Sequence, residues 1–156
     1  MNIKIIAVGK IKESYLKEAL KEYEKRLTPF CSFDITEVVS EQIIDEAMNE
    51  KYKKLEAQRI IPLIKANSYV ITLEIQGKSL SSEDFADKIK QISNEGYSDL
   101  TFIIGGANGL DKSVSDIADF KLSFSKMTFT HQMIRLLLIE QIYRAFKINN
   151  NEKYHR

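Results

Sequence analysis

The sequence is poor in residues that build metal sites, disulfides and membrane spans. It has 156 residues with one cysteine, two histidines, two prolines and no tryptophan. The lone Cys31 excludes an internal disulfide, and His131 and His155 lie too far apart in the sequence to indicate a zinc site. No apolar run approaches the roughly 18–20 residues of a transmembrane helix. The first residues lack the apolar stretch of a signal peptide, so we expect a cytoplasmic protein without a bound metal.

Three familiar motifs are also missing. No segment matches the dinucleotide pattern G-x-G-x-x-G or the Walker phosphate loop, and no G-x-S-x-G nucleophile elbow is present. These absences argue against an α/β enzyme that holds a nucleotide on a standard phosphate loop. Such an enzyme would have to bind its nucleotide on a glycine-rich loop that matches none of these patterns.

Composition is typical of a globular protein, with 44% hydrophobic and 29% charged residues. The length favours one domain over residues 1–156. The net charge of +1 hides an asymmetry, since residues 121–156 carry seven basic and two acidic side chains. A positive end suggests contact with an anionic partner such as nucleic acid. A solvated helix face followed by a polar tail would give the same pattern.

Apolar patterning predicts strands that alternate with helices. The predicted strands are 3–8, 32–39, 69–75, 100–104 and 120–124, the third closed by a turn at 76–78. The predicted helices are about 12–28, about 41–65, 81 or 82 to about 94, and about 130–147, with a short additional helix capped by Asp111. In the second of them, Pro62 is expected at a kink or in the last turn. This alternation predicts an α/β domain with a mainly parallel sheet.

The last predicted helix is apolar in nearly every direction, whereas a surface helix has one apolar stripe. Its polar face is assigned to Arg135, Glu140, Arg144 and Lys147, with a favourable i,i+4 pair between Glu140 and Arg144. We expect a partner subunit to cover part of the helix. A central core helix is the alternative.

Ligands of open α/β sheets bind beyond the carboxyl ends of the strands. Three loops fall there: the one after strand 69–75, the segment GGANG at 105–109, and residues 123–131. Glycines let a backbone approach a ligand closely, although a tight strand-to-helix turn also explains GGANG. The terminal Tyr154, His155 and Arg156 combine a stacking ring, an imidazole and a guanidinium, or form an idle frayed end.

Longer strings carry a family resemblance that covers essentially the whole chain. They are IKIIAVGKIKE at the start, YVITLEIQGKSLSSEDFA in the middle, FIIGGANGLDKSV (102–114), LSFSKMTFTHQMIRLLLIEQIYRAFKI (122–148) and the terminal YHR. Together they resemble the RlmH-type ribosomal RNA large subunit methyltransferases of the SPOUT superfamily. One departure is Thr130, where the family usually has proline before the histidine, and we expect it to cost some rigidity.

The resemblance implies an α/β knot, in which the C-terminal segment makes a deep trefoil, and a homodimer. It implies S-adenosylmethionine as the cofactor and a pseudouridine of 23S ribosomal RNA, at position 1915, as the substrate, methylated at N3 in the assembled ribosome. The cofactor-binding positions of the family correspond here to Leu73, Gly105, Phe124, Ser125, Lys126, Met127, Thr128 and Phe129.

Chemistry on the N3 imide requires that its proton be accepted or the anion stabilised. By residue type His155 is the candidate acceptor, Tyr154 would stack, and Arg156 would hold a phosphate or the developing charge. A net charge of only +1 predicts weak, salt-sensitive binding to naked RNA and suits a shaped ribosomal surface. A non-catalytic ribosome- or RNA-binding protein on the same knotted fold is the alternative.

Overall fold

The computed structural model describes residues 1–154. Five parallel strands form one sheet in the order β2-β1-β4-β3-β5. The strands are β1 Asn2–Val8, β2 Ser32–Val38, β3 Tyr69–Ser79, β4 Asp99–Ile104 and β5 Phe120–Ser123. The helices are α1 Ser14–Leu27, α2 Asn49–Ile60, α3 Ser82–Asn94, α4 Lys112–Asp116 and α5 His131–Asn149. Short 3-10 turns at Glu46–Met48 and Ile61–Leu63 flank α2.

Alternate residues of the central strands pack on opposite faces of the sheet, so helices cover both faces. In β1, Ile3, Ile5 and Ala7 join a core formed with α1, α3 and α5. Ile6 and Val8 join a second, smaller core with α2 and α4. The prediction of an α/β fold with a mainly parallel sheet is confirmed. Within residues 1–154, no helix is both long and apolar enough to cross a membrane.

The prediction of one long helix from 41 to 65 is wrong. Only Asn49–Ile60 is α-helical, and residues 39–45 have no regular structure. Before α2, the Asp45 side chain accepts a hydrogen bond from the Ala47 amide at 2.9 Å, and such local bonds compete with helix formation. After α2, Pro62 lies in the 3-10 turn and marks the end of the helical stretch.

The predicted turn at 76–78 is also wrong, because β3 continues to Ser79. Its pairing with β5 shifts, so that both Leu73 and Lys78 lie opposite Leu122. The intervening residues bulge away and the strand then rejoins its neighbour. At Gly77 an added Cβ would lie 2.7 Å from the Lys121 carbonyl oxygen. The glycine is therefore needed for close backbone approach, not for a turn.

The last helix is buried on one side only within this chain. Leu138, Ile139, Ile142 and Ala145 are fully buried against α1 and α3, whereas Leu136 and Leu137 are half-buried. Thr130 caps the helix by accepting a hydrogen bond from the Met133 amide at 3.2 Å. This cap orders the helix start, as expected for a threonine at that position. Glu140 and Arg144 form the predicted ion pair, with N–O distances of 2.6 and 3.1 Å.

Burial raises the pKa of the Cys31 thiol to about 11. Its thiolate fraction at neutral pH is then about 100-fold smaller than that of an ordinary thiol, and only the thiolate reacts rapidly. We expect slow alkylation of the native protein by iodoacetamide and fast alkylation in concentrated urea. Equal rates of alkylation in the native and the urea-unfolded protein, measured by mass spectrometry, would contradict this prediction.

Candidate ligand-binding site

A cavity of about 740 Å³ lies at the carboxyl edge of the sheet, where β4 and β5 end and β3 bulges away from β5. Its walls come from three segments, at 73–76, 104–110 and 122–134. The volume is in the range of small-molecule and cofactor sites. The bulge of β3 and two loops far apart in the sequence thus meet at one place, which is the usual ligand position in open α/β sheets.

The glycine-rich loop forms one wall and turns back on itself. The Gly109 amide donates to the Gly106 carbonyl at 3.0 Å, and the same two residues form an isolated antiparallel bridge. An added Cβ at Gly105 would lie 2.9 Å from the Gly109 carbonyl carbon. The turn therefore requires glycine at 105, and it leaves backbone groups beside the cavity.

The segment between β5 and α5 forms the opposite wall. The Ser125 hydroxyl accepts a hydrogen bond from the Met127 amide at 2.9 Å, and the Ser123 hydroxyl donates to the Ser125 carbonyl at 3.2 Å. Met127 is 76% exposed and Phe129 is 40% exposed. These apolar side chains stand at the rim of the cavity, where they could cover a bound ligand.

The structure brings together most of the residues that the sequence resemblance assigned to the cofactor. Those that line the cavity are Leu73, Gly105, Phe124, Ser125, Met127, Thr128 and Phe129. Lys126 is exposed and is not among the lining residues. That these residues hold a cofactor stays a prediction.

Glu74 is the only carboxylate or permanent cation among the lining residues that the structure describes. Both of its carboxylate oxygens accept hydrogen bonds from hydroxyl groups. The Thr72 hydroxyl donates to Oε1 at 2.6 Å, and the Ser115 hydroxyl donates to Oε2 at 3.0 Å. The carboxylate is thus held in one position, and the cavity has a negative charge.

His131 begins α5 and also lines the cavity. Its ring packs on Gly9, where an added Cβ would lie 2.9 Å from Nε2. Partial burial, together with the charges of Arg135 and Lys12, lowers the pKa of His131. The imidazole is therefore neutral at pH 7, where it can accept or donate a hydrogen bond but carries no charge.

Arg135 is fully buried one turn after His131, so its assignment to the polar face of the last helix is wrong. One guanidinium nitrogen donates to Glu37 Oε1 at 2.9 Å. Another donates to the carbonyl oxygens of Val8 at 3.1 Å and Gly9 at 2.6 Å. Burial lowers the pKa of Arg135, and the Glu37 charge opposes that shift.

Arg135 therefore ties the first turns of α5 to the end of β1 and supports the wall that contains His131. Sequence reasoning missed this role, because an arginine in an apolar helix has the same sequence signal whether it points to solvent or to buried carbonyl groups. A possible signal was its spacing of four residues from His131, which puts both side chains on one face of the helix.

Tyr154 lies away from the cavity of its own chain. Its hydroxyl donates to Glu140 Oε1 at 3.2 Å and lies 3.3 Å from the Tyr23 hydroxyl. Its ring is 4.8 Å from the Tyr143 ring, centroid to centroid, and the Arg144 guanidinium lies over it. Burial and the bond with Tyr23 raise the pKa of Tyr154, so the phenol stays neutral.

The described residues that bond to Tyr154 or pack on its ring are not in the cavity lining; they are Tyr23, Glu140, Tyr143 and Arg144. His155 and Arg156, the other two predicted catalytic residues, lie outside the described residues. Over residues 1–154, no group of three or more histidine, cysteine, aspartate or glutamate side chains is arranged to hold a metal ion.

The fold and the cavity define an α/β protein with a cavity of ligand size at the carboxyl edge of a parallel sheet. Comparison with known proteins makes the class specific. A family model described as "Predicted SPOUT methyltransferase" matches residues 1–155. The chain belongs to this family, and it is a methyltransferase. Members of the family generally use S-adenosylmethionine.

Two individual proteins are also similar to this chain. One, from Methanococcus maripaludis (strain C5 / ATCC BAA-1333), is provisionally named ribosomal RNA large subunit methyltransferase H. It is 53% identical over 159 residues, covering 100% of both chains. The other is the solved structure of a probable methylase family protein from Haemophilus influenzae Rd KW20. It aligns with a TM-score of 0.57 and 15% identity over 99% of this chain and 70% of that chain, a likeness of fold alone.

Proposed function

We propose that this protein transfers a methyl group from S-adenosylmethionine to N3 of a pseudouridine in 23S ribosomal RNA, at position 1915, within the assembled ribosome. The observation that carries this proposal is the 53% identity, over the full length of both chains, to the Methanococcus maripaludis protein named for methylation of large subunit ribosomal RNA. The cavity gives the proposal a structural basis, because its chemistry suits the cofactor.

The fit to S-adenosylmethionine rests on shape and charge. Apolar side chains such as Leu73, Ile104 and Leu122 can pack on an adenine ring, and the Gly105 turn leaves backbone groups free to recognise its edge. The cofactor has a net charge of +1, which matches a cavity whose lining, over residues 1–154, has one carboxylate and no permanent cation. When bound, it supplies a methyl group already activated by the sulfonium, so the protein mainly has to position the acceptor nitrogen.

The C-terminal residues are proposed to act on the RNA. Tyr154 would stack on a base, His155 would accept the N3 proton, and Arg156 would neutralise a phosphate or the developing charge. Because the described partners of Tyr154 lie on α1 and α5 and outside the cavity lining, we propose a homodimer in which each tail serves the cavity of the other subunit. The half-buried apolar side chains of α5, including Leu136 and Leu137, offer a surface for that pairing.

The proposal includes one methyltransferase domain over residues 1–156 with a C-terminal trefoil knot, acting in the cytoplasm where assembled ribosomes are. Two features of the structure favour the knot. Strand β5 lies beyond β3 at the edge of the sheet, yet the helix that follows it returns to the end of β1 through Arg135. The segment 124–130 therefore passes across the ends of β3 and β4, beside the glycine-rich loop.

The test is transfer of a labelled methyl group to three substrates. They are ribosomes that lack this modification, free 23S ribosomal RNA, and ribosomes that lack the pseudouridine. We expect label on one pseudouridine of the unmodified ribosomes and little on the other two. Strong labelling of free RNA would overturn the assembled-ribosome substrate. No label anywhere, with no cofactor binding, would favour a non-catalytic RNA-binding protein.

The role of the tail has its own prediction. A chain ending at Lys153 should bind S-adenosylmethionine as the full chain does but lose methyl transfer by at least about 100-fold, because proton transfer alone contributes about 100- to 10,000-fold. The control is Lys153→Ala, which changes the exposed neighbour and keeps the three terminal side chains. Normal transfer by the shortened chain would remove Tyr154, His155 and Arg156 from the mechanism.

A further inference from the structure

The charge of Glu74 in the cavity has no partner cation. Within the described part of the chain, no lysine or arginine forms an ion pair with this carboxylate, although other carboxylates pair in this way. Examples are Glu37 with Arg135, Asp99 with Lys65 and Glu140 with Arg144. The groups bonded to Glu74 are neutral hydroxyls, which orient the carboxylate without neutralising it.

The position of this charge is held by buried parts of the fold. Thr72 is fully buried two residues earlier on the same face of β3, and Ser115 is half-buried on α4. A half-buried charge interacts with a nearby ligand more strongly than an exposed one, because the surroundings screen it less. A cationic ligand gains from such a carboxylate, and a neutral ligand of the same shape does not.

The cofactor and its product differ in this respect. S-adenosylmethionine has a sulfonium, an ammonium and a carboxylate, a net charge of +1. When the methyl group leaves, the electron pair of the broken bond stays on sulfur, and S-adenosylhomocysteine is left with a net charge of 0. Among the described lining residues, His131 is the other titratable group, and its lowered pKa leaves it uncharged at pH 7, so Glu74 is the charge of that lining that distinguishes the two molecules.

We propose that Glu74 is a specificity-determining residue, which favours binding of the sulfonium cofactor over its neutral thioether product. The inference rests on the proposed function and concerns ligand selection in the same cavity. Glu74 lines the cavity, its carboxylate is held by Thr72 and Ser115, and no lysine or arginine of residues 1–154 forms an ion pair with it. The Glu74 charge strengthens binding of S-adenosylmethionine before methyl transfer. It does not strengthen binding of S-adenosylhomocysteine, so the product dissociates more readily.

The test measures binding and needs no RNA. Dissociation constants of the full-length protein are obtained by calorimetry for S-adenosylmethionine, S-adenosylhomocysteine and sinefungin, in which an amine stands in place of the sulfonium. Glu74→Gln keeps the size of the side chain and can still bond both hydroxyls. We expect it to bind the two cationic ligands about fivefold to tenfold more weakly and the thioether unchanged, as loss of one nearby charge predicts.

The matched control is Asp116→Asn. It removes one carboxylate from α4, the helix that carries Ser115. Asp116 is exposed, pairs with Lys112 and is not in the cavity lining, so its three dissociation constants should equal those of the wild type. Thermal unfolding of both variants checks that they fold. Raised salt should reduce the wild-type preference for the cations and leave the Glu74→Gln ratio unchanged.

Two outcomes overturn the inference, and they are distinguishable from failure of the proposed function. Equal weakening of all three ligands by Glu74→Gln would mean that the carboxylate binds a shared group such as the ribose. An unchanged ratio would mean that its charge is not sensed. In either case the proposed methyl transfer stands. Failure of the wild-type protein to bind S-adenosylmethionine would overturn the proposed cofactor and this inference together.

Discussion

Replacing Arg135 with alanine is expected to lower the free energy of unfolding by about 3–5 kcal/mol. The side chain is fully buried and donates hydrogen bonds to the Val8 and Gly9 carbonyls and to Glu37. Its removal leaves buried carbonyl oxygens without their donor, which costs about 1–3 kcal/mol for each group. It also leaves a cavity large enough to add to that loss.

Two further variants separate these effects, with chemical denaturation as the measurement. Arg135→Met fills most of the space without a donor, and we expect it to recover only the packing part of the loss, about 1–2 kcal/mol. Glu37→Gln keeps an acceptor on a side chain that is 36% exposed, and we expect a change within about 1 kcal/mol. An alanine variant as stable as the wild type would refute the anchoring role of Arg135.

The position of Arg135 also affects the ligand-binding cavity. Arg135 holds the first turns of α5 to the end of β1, and His131 packs on Gly9 in the same region. We therefore expect Arg135→Met to weaken binding of S-adenosylmethionine, while Arg144→Met, at the far end of the helix, leaves it unchanged. Calorimetric binding curves at a temperature where both variants are folded would show the difference.

Replacing Gly77 with alanine is expected to lower the free energy of unfolding by about 2–4 kcal/mol and to weaken cofactor binding. The new methyl group would lie 2.7 Å from the Lys121 carbonyl oxygen and 2.8 Å from the Leu122 carbonyl carbon. Both are backbone atoms of β5, so the strands have to separate, and overpacking of this kind is costly. Strand β5 leads directly into the cavity wall at 124–130, which would move with it.

The neighbouring Lys78→Ala provides the control, because that side chain is exposed and its truncation adds no atom between the strands. We expect its thermal midpoint and cofactor affinity to stay close to those of the wild type. If Gly77→Ala matched the wild type in both measurements, the close pairing of β3 with β5 would not be a constraint on the site.

The alternation of strands and helices could be predicted from the sequence because it depends on local patterns. Runs of β-branched residues such as Ile3–Val8 and Leu100–Ile104 mark buried parallel strands, and Ser81, Asp111 and Thr130 mark helix starts through bonds to nearby amides. The expectation that the ligand site lies where β3, β4 and β5 end follows from the same alternation. The loops after β4 and β5 do meet in one cavity there, although the third wall is a bulge within β3 and not a loop after it.

The errors arose where a residue's neighbours are distant in the sequence. Gln76-Gly77-Lys78 has the composition of a turn, yet pairing with β5 continues the strand through it. The segment 41–48 has helical composition, but its large apolar side chains do not enter the core, since Ile44 is 85% exposed and Ile43 46%. Local propensity is a weak prior that tertiary contacts override.

The sequence by itself determined the α/β class, the parallel sheet, the helix caps and, through whole-length similarity, membership of the SPOUT methyltransferases. Only the tertiary structure decided that Arg135 is a buried anchor, that Tyr154 bonds to residues outside the cavity lining, and that Glu74 is held by two hydroxyls and by no lysine or arginine of residues 1–154. The reason is physical. Strands and caps depend on residues a few positions apart, whereas burial and long-range bonding depend on groups far apart in the sequence, such as Val8 and Arg135, which are separated by 127 positions.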